Sequence, residues 1–164
     1  HILRMTHKTN ADMSYEIAKV SVGAITGFPM NFTGMLPGGQ YSKIANIEYT
    51  GTTEGDLYFG ATFVGGGDNF EGILDVAIER VDGNGASLGW VTPEWLDATT
   101  LYTSWTKLDS NVAPGSTVRY KVYVRVDGSV GNTFQGDKAY NNVVIQAVQK
   151  DGGAQGTPAN YPAN

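Results

Sequence analysis

Residues 117–126, TVRYKVYVRV, alternate between apolar and polar side chains along their whole length. Val118, Tyr120, Val122, Val124 and Val126 share one phase, while Thr117, Arg119, Lys121, Tyr123 and Arg125 share the other. A period of two marks a strand buried on one face and wet on the other. A helix would scatter the valines around its circumference, and β-branched side chains fit a pleated surface better. A one-sided strand of this kind needs a second layer over its apolar face, so the segment predicts a sandwich or a barrel.

The same period recurs along the chain. Ala45, Ile47 and Tyr49 point inward from a strand over 41–49. Leu57, Phe59, Ala61 and Phe63 mark the next strand, and Leu74, Val76 and Ile78 alternate with Asp75, Ala77 and Glu79 in a third. Val143, Ile145 and Ala147 define a last one. In 13–25 the apolar phase slips between Tyr15/Ile17 and Val20/Val22/Ala24, which predicts one strand with a bulge. Turns fall at Leu36-Pro37-Gly38-Gly39, at Ala113-Pro114-Gly115 and most clearly at Asp82-Gly83-Asn84-Gly85, a hairpin signal. Residues 127–137 read as a long polar connection. Thr92-Pro93-Glu94 has the composition of a helix start, with Thr as N-cap and Pro at the first position. It predicts a short helix carrying Trp95, Leu96, Leu101 and Trp105 against the sandwich. The fold class is therefore all-β, an antiparallel β-sandwich with one short helix.

The flanks differ from this core. Residues 1–10 (HILRMTHKTN) stand apart as an arm with Ile2, Leu3 and Met5 as its apolar positions. Residues 11–149 form the sandwich domain. Residues 150–164 are almost devoid of hydrophobic content; such a segment buries too little area to offset its ordering entropy, so it reads as a polar flexible tail.

Composition narrows the functional classes. The 164 residues suffice for one domain with a sizeable core. Charged residues make up only 16%, and the 22 glycines suit many tight turns between short strands. A net charge of −5 argues against nucleic acid and anionic membrane as partners, since both select a concentrated basic surface. With no cysteine there is no disulfide, thiolate zinc site, iron–sulfur cluster or thiol nucleophile. No apolar run is long enough to span a bilayer, so no membrane insertion is expected. The chain starts at His1 and shows no signal peptide, which reads as a mature chain whose export signal has been removed.

Catalytic chemistry is sparse. No H-E-x-x-H, G-x-S-x-G or P-loop pattern occurs, and the only histidines are His1 and His7. An N-terminal histidine can chelate copper through its amine and ring, as in lytic polysaccharide monooxygenases, but a second histidine must converge on it. In an extended strand His7 would sit on the order of 20 Å away. Glu54, Asp56, Asp68, Asp82, Asp127 and Asp137 lie among turn glycines without EF-hand spacing and read as turn formers rather than calcium ligands. We expect no catalytic residue, no metal and no cofactor. Asn31-Phe32-Thr33 is a sequon, so Asn31 is a candidate for N-glycosylation. Trp90, Trp95 and Trp105 lie close in sequence, and aromatic platforms on sandwiches bind sugars; the commoner use of tryptophan is packing in a core or interface.

Several motifs together carry a family resemblance. Phe134-Gln135-Gly136-Asp137, followed by VVIQAVQ at 143–149, resembles the C-terminal signature of TasA and camelysin proteins, a "YQGK"-like turn and then a strand ending in "EATQ" or "EAVQ". FTGMLPGG at 32–39 is similar to their "L-x-N-L-x-P-G-D" turn, although Gly39 replaces the usual Asp. ADMSYEI at 11–17 sits where that family begins its first strand after a short N-terminal arm. The chain is shorter than TasA through its middle, and the resemblance leaves out 86–110 and the tail. In size and low charge it is most similar to the archaeal bundling pilins.

The resemblance implies a jelly-roll-like sandwich, secretion, and assembly into an extracellular pilus or biofilm fibre. The arm of one subunit would complete the sheet of its neighbour. Camelysins have also been called metalloproteases, but no metal-binding motif supports that here. The residues fit donor-strand complementation: an incomplete sandwich exposes an unpaired edge that an extended arm can fill, and a head-to-tail contact of this kind propagates into a filament. Residues 1–10 are the arm, with Ile2, Leu3 and Met5 as anchors, and the partners are copies of the same chain, with lateral bundling between filaments. The alternative for the arm is to fold back as the domain's own first strand. The alternative function is a monomeric secreted carbohydrate-binding sandwich using Trp90, Trp95 and Trp105.

Overall fold

The computed structural model describes residues 2–9, 13–14, 19–20, 22–27, 30–33, 35–65, 70–129 and 138–158. In chain order the strands are β1 (Ile2–Thr9), β2 (Met13–Ser14), β3 (Lys19–Val20), β4 (Val22–Thr26), β5 (Met30–Thr33), β6 (Gln40–Tyr49) and β7 (Gly55–Gly65). A 3-10 turn (Phe70–Ile73) leads into β8 (Leu74–Val81), β9 (Ser87–Trp90) and β10 (Leu96–Asp97). A single helical turn α1 (Thr100–Thr103) precedes β11 (Thr106–Val112), β12 (Thr117–Val126) and β13 (Lys138–Gln149).

These strands make two main sheets. The five-stranded sheet runs β11-β7-β13-β1-β5. The six-stranded sheet runs β10-β8-β12-β6-β4, with β9 also on β8. β2 and β3 pair only with each other. Every pairing is antiparallel except β1 with β13, which is parallel. The period-two strands meet across the interior. Tyr120, Val122, Val124 and Val126 of β12 are at most 1% exposed, as are Leu74 and Ile78 of β8 and Val143, Ile145 and Ala147 of β13. Ile47, Tyr49, Leu57, Phe59, Ala61, Leu108, Val112 and the Leu101 of α1 belong to the same core, as do Met30, Phe32, Met35, Ala45, Val76 and Ala98. Each apolar side chain of this size contributes about 1.5–3 kcal/mol when fully buried.

One polar link ties the two sheets together at the core's edge. The Tyr120 hydroxyl, on β12, donates to Asp109 Oδ2 on β11 at 3.1 Å, and Arg80 Nε lies 3.3 Å from the same oxygen. Burial, and then the neighbouring Asp109 carboxylate, push the Tyr120 phenol far above its ordinary range.

Two sequence expectations are corrected. The region 13–25 is not one bulged strand; its described parts are β2, β3 and β4, while residues 15–18 lie outside the described residues. The short helix is present but does not start at Thr92: it is α1, at Thr100–Thr103. The Thr92 hydroxyl accepts from Ile78 N–H at 3.2 Å instead of capping a helix, Trp95 precedes β10, Leu96 lies on it, and of the four residues expected on the helix only Leu101 falls on α1. The described part of the tail lies on the surface and contacts the five-stranded sheet through Asp151, Gln155, Gly156 and the buried Pro158. The motif at 134–137 lies outside the described residues.

Candidate functional site

The first candidate is the strand slot held by β1. Its eight residues run parallel to β13 in unbroken register, from Ile2 opposite Lys138 to Thr9 opposite Ile145. On its other side it runs antiparallel to β5, with Ile2 opposite Thr33, Leu3 opposite Phe32, Arg4 opposite Asn31 and Met5 opposite Met30. Phe32 and Met30 are buried, so Leu3 and Met5 stand in register with core residues, whereas Ile2 belongs to the other phase. The described chain thus has β1 in its own sheet, joining two strands that do not otherwise touch along the sheet. Without it, both β13 and β5 would expose unpaired N–H and C=O groups. Asn31, the sequon asparagine, sits on β5 as the partner of Arg4. His1 lies outside the described residues, and His7 is the register partner of Val143. Among the described residues no cluster of three His, Cys, Asp or Glu side chains could hold a metal ion.

The second candidate is an aromatic cleft on the outer face of the six-stranded sheet. The Asp82 carboxylate folds the β8–β9 turn by accepting from Asn84 N–H at 2.8 Å and Ala86 N–H at 2.9 Å, and Gly85 takes φ of +83°. β9 then runs back along β8, with Trp90 opposite Glu79. Val91 N–H and Thr92 N–H both reach Ile78 O, and the buried Thr92 hydroxyl stands in for a backbone carbonyl toward Ile78 N–H. Residues 93–95 leave the ladder before β10 rejoins β8 at Leu96 opposite Val76. This detour brings Trp90 and Trp95 together although four residues separate them.

The cleft encloses about 190 Å³ and is lined by Ala77, Trp90, Thr92, Pro93, Glu94 and Trp95. Trp90 meets Tyr123 edge to face at 5.2 Å between ring centroids and 79° between planes. The Tyr123 hydroxyl donates to Glu79 Oε1 at 2.8 Å. Burial, and then that carboxylate, raise the Tyr123 phenol above its ordinary value. Arg125 stacks its guanidinium 4.4 Å from the Trp95 centroid and reaches Asp75 Oδ2 from Nη2 at 2.7 Å and Nε at 3.2 Å. Both tryptophans are therefore braced from the neighbouring strand β12.

Trp105 is not part of this cleft. It faces the five-stranded sheet, where its Nε1–H donates to Gly156 O at 3.1 Å and its ring, with Pro158, covers Gly60. Sequence proximity thus grouped three tryptophans that the fold divides between two sheets.

The tail is held in part by Gln146, which the sequence reading passed over, and by Asp56, to which it gave another role. Gln146 is fully buried and pairs with Gln155. Asp56, read as a turn former, is fully buried on β7 and accepts from Asn111 N–H at 3.0 Å and Asp151 N–H at 3.1 Å. The available signal was Gln146 itself, a polar residue inside the apolar run VVIQAV. No protein-family model and no curated protein matches the chain.

Proposed function

We propose that this chain is the structural subunit of an extracellular bundling pilus or biofilm matrix fibre, polymerising by donor-strand complementation and serving no catalytic role. The observation that carries the reading is β1 lying inside a sheet, between β5 and β13, by main-chain pairing to both. The motif resemblance to TasA and camelysin proteins supports it from the sequence side. Every subunit carries an identical strand, so a neighbour's β1 can occupy the slot with the same register. Exchange of an identical element conserves the pairing while linking subunits head to tail, and an interface of that kind does not close on itself. The β1 position in its own sheet is then the form of the free subunit.

A double cysteine variant tests this. Thr6→Cys and Asn142→Cys are opposed in the β1–β13 register, and the chain has no other cysteine. Donation predicts that protein oxidised after assembly runs as a ladder of covalent multimers on denaturing gels. Protein oxidised as monomer should be locked and fail to form filaments by negative-stain microscopy. Filaments from the locked monomer, or only discrete particles of the unlocked protein, would overturn the proposal.

A further inference from the structure

We infer that the cleft between Trp90 and Trp95 is a binding site for a neutral pyranose unit of a polysaccharide. The inference does not rest on the fibre reading, because the cleft lies on the sheet without β1.

Trp90 is 55% exposed, a large apolar ring left in water, yet Tyr123 and the Glu79 carboxylate behind it hold it in place. A platform fixed before binding loses little freedom when a ligand settles on it. The volume of about 190 Å³ slightly exceeds the roughly 150 Å³ that hold a benzene ring, so the cleft matches one six-membered ring.

The charges around the cleft select a neutral occupant. A cation would be drawn to a bare tryptophan face, but Arg125 already occupies one face of Trp95 and places positive charge there. An anion would meet Glu94 at the rim. An extended peptide would find only the short outer edges of β9 and β10, four and two residues long. The Thr92 hydroxyl accepts from Ile78 N–H, which leaves the Glu94 carboxylate as the strong acceptor of the lining. A pyranose matches these surfaces: its C–H face suits an indole, and its hydroxyl edge donates to a carboxylate.

The test is calorimetric titration of the full chain with cellohexaose, xylohexaose, mannohexaose, laminarihexaose and chitohexaose, with choline chloride as the cationic probe. At least one oligosaccharide should bind with Kd of about 1 mM or tighter. Trp90→Ala should weaken that binding roughly tenfold or more, Glu94→Gln should weaken it severalfold, and choline should neither bind nor compete. Circular dichroism of both variants should match the parent, and Glu94→Gln, at an exposed position, carries the test should Trp90→Ala misfold. Absence of binding by all five sugars, binding indifferent to both substitutions, or competition by choline would each overturn the inference.

Discussion

The side-chain amide of Gln146 pairs with the main chain of Gln155 at both ends: Oε1 accepts from Gln155 N–H at 2.8 Å, and Nε2 donates to Gln155 O at 3.0 Å. The amide thus acts as one residue of a strand and gives the tail a substitute ladder partner on β13. Gln146→Leu preserves bulk but leaves the Gln155 N–H and C=O without partners in the docked tail. Such a loss costs about 1–3 kcal/mol. At this chain length that lowers Tm by roughly 3–10 °C. Hydrogen exchange across 151–157 should accelerate more than exchange in β12, which separates tail release from global destabilisation.

Gly60 explains why the tail can lie so close to β7. A Cβ there would collide with the Pro158 ring and press on Trp105. Gly60→Ala is expected to displace Pro158 and shift Trp105 emission to the red. Gly85→Ala makes the contrast: nothing lies near its Cβ position, but its φ of +83° favours glycine. That change should cost about 1–2 kcal/mol through the backbone alone and leave the tail in place.

Asp56 joins two left-handed turns. The residues whose N–H groups it accepts, Asn111 and Asp151, have φ of 56° and 63°. Lys107 Nζ lies 3.3 Å from Oδ2, but that side chain is 42% exposed, so solvent screens the ion pair and it contributes little. Two part-buried N–H donors left unpaired matter more. We expect Asp56→Ala to cost about 1–3 kcal/mol in urea melts and Lys107→Ala to cost clearly less.

The same carboxylate predicts an acid dependence. Burial alone would raise its pKa; the Asn111 and Asp151 N–H groups and Lys107 outweigh burial and hold it below the ordinary 3.8. A depressed folded value means that the stabilisation is present above 3.8 and is lost as pH falls through the folded pKa. Stability should therefore decline below about pH 4, and Asp56→Asn, which cannot titrate there, should flatten that part of the profile.

Thr92 is the hinge of the aromatic detour. Thr92→Val keeps the shape but removes the hydroxyl that accepts from Ile78 N–H, at the buried centre of β8. The expected cost is about 1–2 kcal/mol in thermal unfolding, with Thr92→Ser restoring most of it. Sugar binding, if weakened by Val and recovered by Ser, would place the detour's geometry upstream of the cleft.

Local pattern was a faithful guide where a segment's own exposure alternates. Thr117–Val126 is β12 with the expected inward residues, and Asp82 to Gly85 makes the β8–β9 turn. The pattern misled at Thr92-Pro93-Glu94, whose capping composition was overridden by pairing with β8. It was silent on Trp90 and Trp95, whose meeting depends on where β9 and β10 land along one strand edge.

The sequence by itself determined the all-β class, the inward faces of β6 and β12 and the absence of thiol chemistry, because alternation and composition are properties of a segment alone. Tertiary structure decided the rest. It set β1 between β5 and β13, split Trp105 from the other tryptophans, and turned a polar tail into a covering for β13. Those outcomes depend on partners far away in the chain. Gln155 can be docked only because Gln146 satisfies its backbone, and Asp151 only because Asp56 does.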